Sequence, residues 1–280
     1  MMRVAFKILL HDQAKYLALV LGIAFATLLI SQQSAIFHSV LQFTGLEIRS
    51  AGEADIWVMK PSVETIDSGD PMSELAVNRV RSVSGVLWAV PYYQSVAMLR
   101  TSDGRMKAVQ LIGVDDLSKV GAPQQMLMGS VDDLAQPDAV IMDAAGFANV
   151  FPDLQPQTDL VVEIGQKRAR IVGLCFVGGS WSGLPRVYTY RSHALVMARE
   201  TLNPVSFVLA RAAEGQQPEA VAQRISDATG LKARSREQFV AQTQDWILKY
   251  SGIAENFGIT DRKSTRLNSS HSSVSRMPSS

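Results

Sequence analysis

The 280-residue chain lacks most of the features that enzymes and nucleic-acid-binding proteins depend on. It contains one cysteine and four histidines, and its formal net charge is +1 at pH 7. A single cysteine excludes an internal disulfide, and a charge near zero gives no indication of nucleic-acid binding. The motifs GxxxxGKS/T, HExxH, CxxC and GxSxG are all missing. We therefore predict no catalytic, cofactor-binding or metal-binding residue, and the sequence identifies no substrate-binding residue.

The residues that could carry chemistry each have a structural interpretation. Cys175 lies in the apolar run IVGLCFV, which predicts a small buried residue in a strand. His193 is expected at the surface or at a helix start. Residues 178–180, Gly-Gly-Ser, are interpreted as a turn, because no paired base accompanies them. Two adjacent acidic pairs are expected to act as caps or to lie in solvated loops: Asp115-Asp116 and Asp132-Asp133.

Charge is absent over a long stretch between Lys15 and Glu47. Its apolar part, residues 16–37, would span roughly 33 Å as a helix, enough for a bilayer core of about 30 Å. We therefore predict a transmembrane helix over 16–37. Two alternatives stay open: a cleaved signal peptide, although SQQSA is a poor cleavage site, and a buried helix of a soluble protein, which rarely runs so far without a charge.

The flanking charges predict the orientation of this helix. Arg3, Lys7 and Lys15 precede it with only Asp12 against them, so the positive-inside rule places the N-terminus in the cytoplasm. Residues 1–15 are predicted to form an amphipathic helix, either in the headgroup layer or as an extension of the membrane helix. The main domain is then expected in the periplasm, and the protein in a bacterial inner membrane.

The remaining chain divides by composition. Residues 38–54 are predicted to continue the helix outward as a stalk that ends at Gly45 or Gly52, because glycine weakens or caps helices. The other predicted segments are a periplasmic α+β core domain, 55–240, a helix leading to a missing second transmembrane helix, 241–261, and a disordered, non-native tail, 262–280.

Turn signals predict the local structure of the core domain. Asp103-Gly104 and Gly165-Gln166 each separate two apolar runs, which predicts two β-hairpins. Pro91 predicts an edge or a bulge in its strand, because proline has no N–H to donate. Residues 121–137 are predicted to form a polar connection with a helical piece.

The most regular part of the chain is 204–235, which alternates strand, helix and strand. Apolar residues in 218–229 recur at helical spacing, and Gly230 is predicted to end that helix. This β-α-β pattern predicts a small mixed sheet with a helix on one face.

The order of these segments resembles a known family. ADIWV follows the predicted stalk, the β-α-β unit SFVLARAAEGQQPEAVAQRISDATGLKARSREQF closes the core, and WILKYSGIAENFGI leads on from it. Over residues 16–260 the chain resembles the permease subunits of MacB/FtsX-type ABC transporters, especially the DevC-like branch. ADIWV and WILKYSGIAENFGI are the more specific parts of this resemblance.

The resemblance implies a MacB-like periplasmic core domain with two α/β lobes, one of them built from discontinuous pieces. It also implies four membrane helices, with the core domain between the first and the second. Such permeases lie in the lipid bilayer, pair as dimers and bind a separate ABC ATPase. They commonly work with a periplasmic adaptor and an outer-membrane channel. Because the sequence stops where a second membrane helix would begin, we expect an N-terminal fragment.

We therefore predict a permease subunit of an ABC exporter that is mechanically coupled to a separate ATPase, with no catalysis and no cofactor in this chain. The alternative is a membrane-anchored, FtsX-like regulator of a periplasmic partner protein. A third hypothesis, an anchored periplasmic enzyme, requires a cleft with a histidine or acid pair of strongly shifted pKa. The transported substrate does not follow from the sequence.

Overall fold

A computed structural model describes residues 13–178, 182–200 and 204–250. The predictions for residues 1–12 and for 251–280 therefore lie outside the described residues. Residues up to Gln244 form one unit, and those from Asp245 form a second, whose described part is the end of the last helix. The helices are α1 Gln13–Arg49, α2 Leu75–Arg81, α3 Ala144–Val150, α4 Arg191–Ala198, α5 Pro218–Thr229 and α6 Arg236–Tyr250. The strands are β1 Ile56–Met59, β2 Val86–Arg100, β3 Met106–Val114, β4 Gln125–Met128, β5 Ala139–Asp143, β6 Leu160–Ile164, β7 Lys167–Phe176, β8 Arg186–Tyr190, β9 Phe207–Ala212 and β10 Lys232–Ser235.

Helix α1 begins the described chain and runs for 37 residues. Within the described residues, its segment Tyr16–Ile36 is the one helical stretch long and apolar enough to cross a membrane, with a mean hydropathy of 1.7 and none of it buried. The helix continues through Gly45, which the sequence predicted as an end, and stops at Arg49. Gly52 lies in the turn that follows, at a φ of +70°.

Two discontinuous pieces of the chain form the first lobe. Its strands lie in the order β10, β1, β9 and the first half of β2, and every neighbouring pair is antiparallel. Helices α2 and α5 pack on one face through an apolar core that includes Val58, Val77 and Ile225. The predicted mixed sheet is wrong here, because β1 inserts between β9 and β10 and separates the two parallel strands of the β-α-β unit.

The second lobe is built on a closed circuit of strands. The second half of β2 pairs with β3, and the circuit continues through β8, β5, β7 and β6 back to β2. The β3–β8 and β5–β7 pairs are parallel and the others antiparallel. Both predicted hairpins are present in it. Strand β4, at the side of β7, falls within the stretch 121–137 that the sequence predicted as a connection.

Strand β2 joins the two lobes. It pairs with β9 up to Tyr92 and with β3 from Tyr93 onward. Pro91 lies beside Val208 of β9. On its other side it has no neighbouring strand among the described residues, because the pairing of β2 with β3 starts at Tyr93. The missing N–H of Pro91 therefore falls where the strand has a single neighbour, as the sequence predicted.

Candidate functional site: the helix–core junction

The last turn of α1 is buried in the core domain. Glu47, Ile48 and Ala51 are almost fully enclosed, whereas the apolar length of the same helix is exposed. Leu46 packs so closely on Gly178, after β7, that a Cβ at position 178 would overlap it. We call residues 45–51 and the side chains around them the helix–core junction.

A buried ion pair lies at the centre of this junction. The carboxylate of Glu47 is 2.6 Å from a guanidinium nitrogen of Arg186, and each side chain is 3% exposed. Glu47 lies in the last turn of α1, and Arg186 begins β8 in the second lobe. Removing one partner of such a pair leaves an uncompensated buried charge, which typically costs about 3–5 kcal/mol.

Arg186 also forms hydrogen bonds to two other parts of the second lobe. Its Nη1 donates to the carbonyl of Gly178 at 2.5 Å, and its backbone N–H donates to the carboxylate of Asp143. Asp143 also accepts from the backbone N–H of Gly146 at 2.7 Å and so caps the start of α3. The end of α1 is thus bonded, through one arginine, to the ends of β5 and β7.

Aromatic side chains of the junction belong to one continuous core that spans both lobes, and two of them, Tyr92 and Tyr188, lie close enough to the ion pair to interact with its charges. Trp57 of β1 meets Tyr92 and Phe207 edge-on, with ring centroids 5.6 and 5.3 Å apart. Tyr188 of β8 and Phe239 of α6 lie in the same core, with Ile48 of α1. Such pairs contribute about 0.5–1.5 kcal/mol beyond the area they bury, so the junction is packed as well as bonded.

Burial controls the electrostatics of the junction. It raises the pKa of Glu47, an effect that the Arg186 guanidinium opposes. Burial also raises the pKa of Asp143, although the hydrogen bonds from the backbones of Arg186 and Gly146 act against it. The pKa of Arg186 is raised against the effect of burial, chiefly by the neighbouring Glu47, so the guanidinium remains protonated.

A second connection joins the end of α1 to the start of α6. The guanidinium of Arg236 donates to the carbonyl of Gly52 at 2.8 Å and, through Nε, to that of Ala54 at 3.0 Å. Gly45 of α1 lies against Val240 of α6, where a Cβ would come within 2.8 Å of a valine methyl. The end of the first helix and the beginning of the last are therefore held to each other and to the core.

This arrangement is a structural connection, and its central acid is not poised for acid–base chemistry. The ion pair at its centre is buried, and the one acid in that pair is neutralised by an arginine. Within residues 13–178, 182–200 and 204–250, no group of three or more histidine, cysteine or acidic side chains is placed to hold a metal ion. Close packing and the buried ion pair hold the end of this helix firmly to the domain around it.

The residues singled out in the sequence occupy structural positions. Cys175 is fully buried in β7, and burial raises its thiol pKa to about 12. His193 lies in the first turn of α4 beside Tyr190. Gly178 accepts the bond from Arg186, while residues 179 and 180 lie outside the described residues. The acidic pairs bond backbone N–H groups or form surface contacts, in line with the predicted caps and loops: Asp115 accepts from Ser118, Asp116 from the backbone of Ser192, Asp132 pairs with Lys119, and Asp133 accepts from the backbone of Ser130.

Sequence reasoning missed the two central residues. Glu47 had a signal, because it is the first charged residue after the long uncharged stretch and lies in a run that stays helical. A charge at that place either leaves the membrane or requires a partner. Arg186 had no such signal, because its partner Glu47 is far away in the sequence.

Comparisons with known proteins place the chain in a family. Residues 16–228 match the family model of the MacB-like periplasmic core domain. The periplasmic region of MacB from Actinobacillus actinomycetemcomitans is similar in fold, with a TM-score of 0.50 at 14% identity, covering 71% of this chain and 95% of that one. The extracellular domain of the noncanonic ABC-type transporter YknZ from Gram-positive bacteria has a TM-score of 0.44 at 16% identity, covering 65% and 98%. No curated protein sequence matches the chain.

Because the family match covers most of the chain, the chain belongs to the MacB-like periplasmic core domain family. It is a component of a MacB/FtsX-type ABC transporter permease, as the sequence predicted, and it has the predicted fold, an apolar N-terminal helix followed by a two-lobed α/β core. Components of this class work with an ATPase and form dimers. The chain is membrane-anchored, with its core domain outside the membrane.

Proposed function

We propose that this chain relays movement from a membrane helix to a periplasmic domain in an ABC exporter, while a separate ATPase hydrolyses ATP. The chain is anchored in the inner membrane, with its N-terminus on the cytoplasmic side and its core domain in the periplasm. The observation that carries the proposal is the buried Glu47–Arg186 pair, which fixes the end of α1 to the second lobe. No catalytic residue or cofactor of this chain takes part.

The relay is expected to work as follows. ATP-driven closure of two ATPase subunits moves the membrane helices of a permease dimer. Because α1 is continuous from Gln13 to Arg49, a shift at its cytoplasmic end reaches the junction without an intervening hinge. The ion pair and the packed aromatic core then move both lobes. A periplasmic adaptor and an outer-membrane channel are the partners on which these lobes would act.

The test uses the full-length permease with its ATPase in nanodiscs. A spin label at Leu117→Cys, a position 93% exposed, reports the distance between the two core domains, with Cys175 replaced by alanine. We expect ATP to change this distance in the parent protein. In the double variant Glu47→Leu/Arg186→Leu, which leaves no unpaired charge, we expect ATP hydrolysis to continue while the distance change is lost.

The matched control is Glu53→Leu/Arg211→Leu, an exposed ion pair that also lies close to the end of α1. It should behave like the parent protein. A distance change that persists in the Glu47/Arg186 double variant would contradict the relay. A parent protein whose domains do not respond to ATP, but which binds and activates a periplasmic hydrolase, would instead support the FtsX-like regulator.

A further inference from the structure

One edge of β2 is open between two neighbouring strands. On the side away from β3, the strand pairs with β9 up to Tyr92 and with β6 again at Leu99 and Arg100. Between these points, no strand of the described residues lies against it. The gap is in the second lobe, away from the helix–core junction.

The direction of the backbone groups in this gap follows from the hairpin register. The N–H of Thr101 bonds the carbonyl of Arg105 across the hairpin, so the odd-numbered residues of β2 bond β3. The even-numbered residues therefore face the open edge. Gln94 uses this edge to bond the Ser206 hydroxyl, and the carbonyl of Met98 accepts from Gly165.

Val96 lies between these two occupied positions. By the same alternation its N–H and C=O both face the open edge, and no described residue bonds them. Its side chain is exposed. Among the described residues, the edge thus presents one donor and one acceptor without a partner, spaced as a neighbouring strand would require.

A cavity of about 660 Å³ lies on this edge, within the range typical of sites for small ligands. Its lining is apolar at Ala97, Met98, Met106 and Met197, and methionine adapts to ligands of varied shape. Polar groups from Tyr93 and Ser95 also line the cavity.

The walls of the cavity are held in place by tight local contacts. Gly165, at a φ of +56°, packs directly on the carbonyl of Met197 at the end of α4. The Tyr93 hydroxyl donates to Glu200 at 3.2 Å. The rim carries both signs of charge, including an ion pair between Arg100 and Glu163 at 3.6 Å.

We propose that this cavity binds a short, extended peptide with apolar side chains. One residue of the peptide pairs with Val96 as a residue of a neighbouring strand would. Its N–H donates to the Val96 carbonyl, and its C=O accepts from the Val96 N–H. Its side chain lies against Met98 and Met106, and the mixed charges of the rim complement the charged ends of a free peptide. The limited volume of the cavity favours a short peptide over a segment of a folded partner.

The test is calorimetric titration of the full chain in nanodiscs, with empty nanodiscs as the blank. The probes are the tripeptide Leu-Ala-Leu, the same peptide methylated on the alanine nitrogen, and decanoate. We expect the tripeptide to bind and the methylated peptide to bind about five- to tenfold more weakly, because one hydrogen bond is lost. Decanoate, which has no amide, should bind far more weakly than the tripeptide.

Two variants locate the binding. Val96→Pro removes the N–H that faces the cavity but no bond to β3, so it should weaken tripeptide binding by a similar five- to tenfold. Met106→Ser, at a position 59% exposed, should also weaken it. The matched control is Leu87→Ser, which is on the same strand, 56% exposed and outside the cavity, and should bind like the parent protein.

Several outcomes would overturn the proposal. They are absence of tripeptide binding at millimolar concentration, equal binding of the methylated and unmethylated peptides, and decanoate binding as tightly as the tripeptide. The comparison of the two peptides uses the unaltered protein, so it stands even if Val96→Pro does not fold. Binding requires no ATPase, so this inference can fail or succeed independently of the proposed relay.

Discussion

The two parts of α1 meet opposite requirements on one continuous helix. The stretch Tyr16–Ile36 carries no charge and is not buried within the described protein, so its surface is suited to lipid or to other membrane helices. The last turn carries a charge, Glu47, and is enclosed by the core. The difference teaches that this helix is an anchor over most of its length and a fixed part of the outer domain at its end.

The largest effect is expected at the buried end. Glu47→Leu leaves the Arg186 guanidinium buried without its partner, so the free energy of unfolding of the core domain should fall by about 3–5 kcal/mol. Denaturant titration of the full chain in detergent measures it. Alkylation of Cys175 provides an independent probe of unfolding. In the folded state the thiol is buried and its pKa is raised, so it should react with an alkylating reagent only when the domain unfolds.

The double variant Glu47→Leu/Arg186→Leu provides the control, because it removes both charges. It should lose much less stability than either single variant. A Glu47→Leu protein as stable as its parent would show that the pair is not needed to hold the end of α1.

A charge in the anchoring part should have a different consequence. Leu28→Arg places a cation on an exposed apolar surface, which disfavours membrane insertion by about 3 kcal/mol at the centre of a helix. The fraction of protein that resists alkaline extraction from membranes should fall. The denaturant midpoint of the core domain should not change, and a shift in that midpoint would contradict the division of α1 into two parts.

Two glycines on α1 allow a finer comparison. A Cβ at Gly22 would meet nothing, whereas one at Gly45 would come within 2.8 Å of Val240. Gly45→Ala gains about 1 kcal/mol of helix propensity but adds an overpacking cost of about 1–3 kcal/mol, so we expect a net loss of up to about 2 kcal/mol. Gly22→Ala should leave core stability unchanged. Equal thermal midpoints for the two variants would argue against close packing at the junction.

The smallest effect is expected at the exposed pair near the junction. Glu53 and Arg211 form an ion pair at the protein surface, and such pairs contribute about 0–1 kcal/mol. Arg211→Leu should therefore change stability by less than about 1 kcal/mol, and salt should reduce the difference. A loss comparable to that of Glu47→Leu would mean that burial does not distinguish the two pairs.

Much of the local structure could be predicted from the sequence. The uncharged stretch predicted α1, and the Asp103-Gly104 and Gly165-Gln166 turns predicted two hairpins, because these signals depend on neighbours along the chain. Gly45 misled the prediction of where α1 ends. Glycine suits this position within the helix because a Cβ would come within 2.8 Å of Val240, and helix propensity takes no account of such a tertiary contact.

The long-range arrangement could not be predicted in the same way. The insertion of β1 between β9 and β10 and the closed circuit of the second lobe bring together strands that are distant in sequence. The same holds for the junction, where Glu47 meets Arg186. Residue type and spacing show that Glu47 needs a partner, but the partner's identity depends on the complete fold.

A double-mutant cycle on Glu47 and Arg186 tests most directly whether the buried pair fixes α1 to the core. The cycle combines the unfolding free energies of the parent, Glu47→Leu, Arg186→Leu and the double variant. We predict an interaction free energy of about 2 kcal/mol or more between the two side chains. A value below about 0.5 kcal/mol, no larger than that of an exposed pair, would contradict the fixed junction.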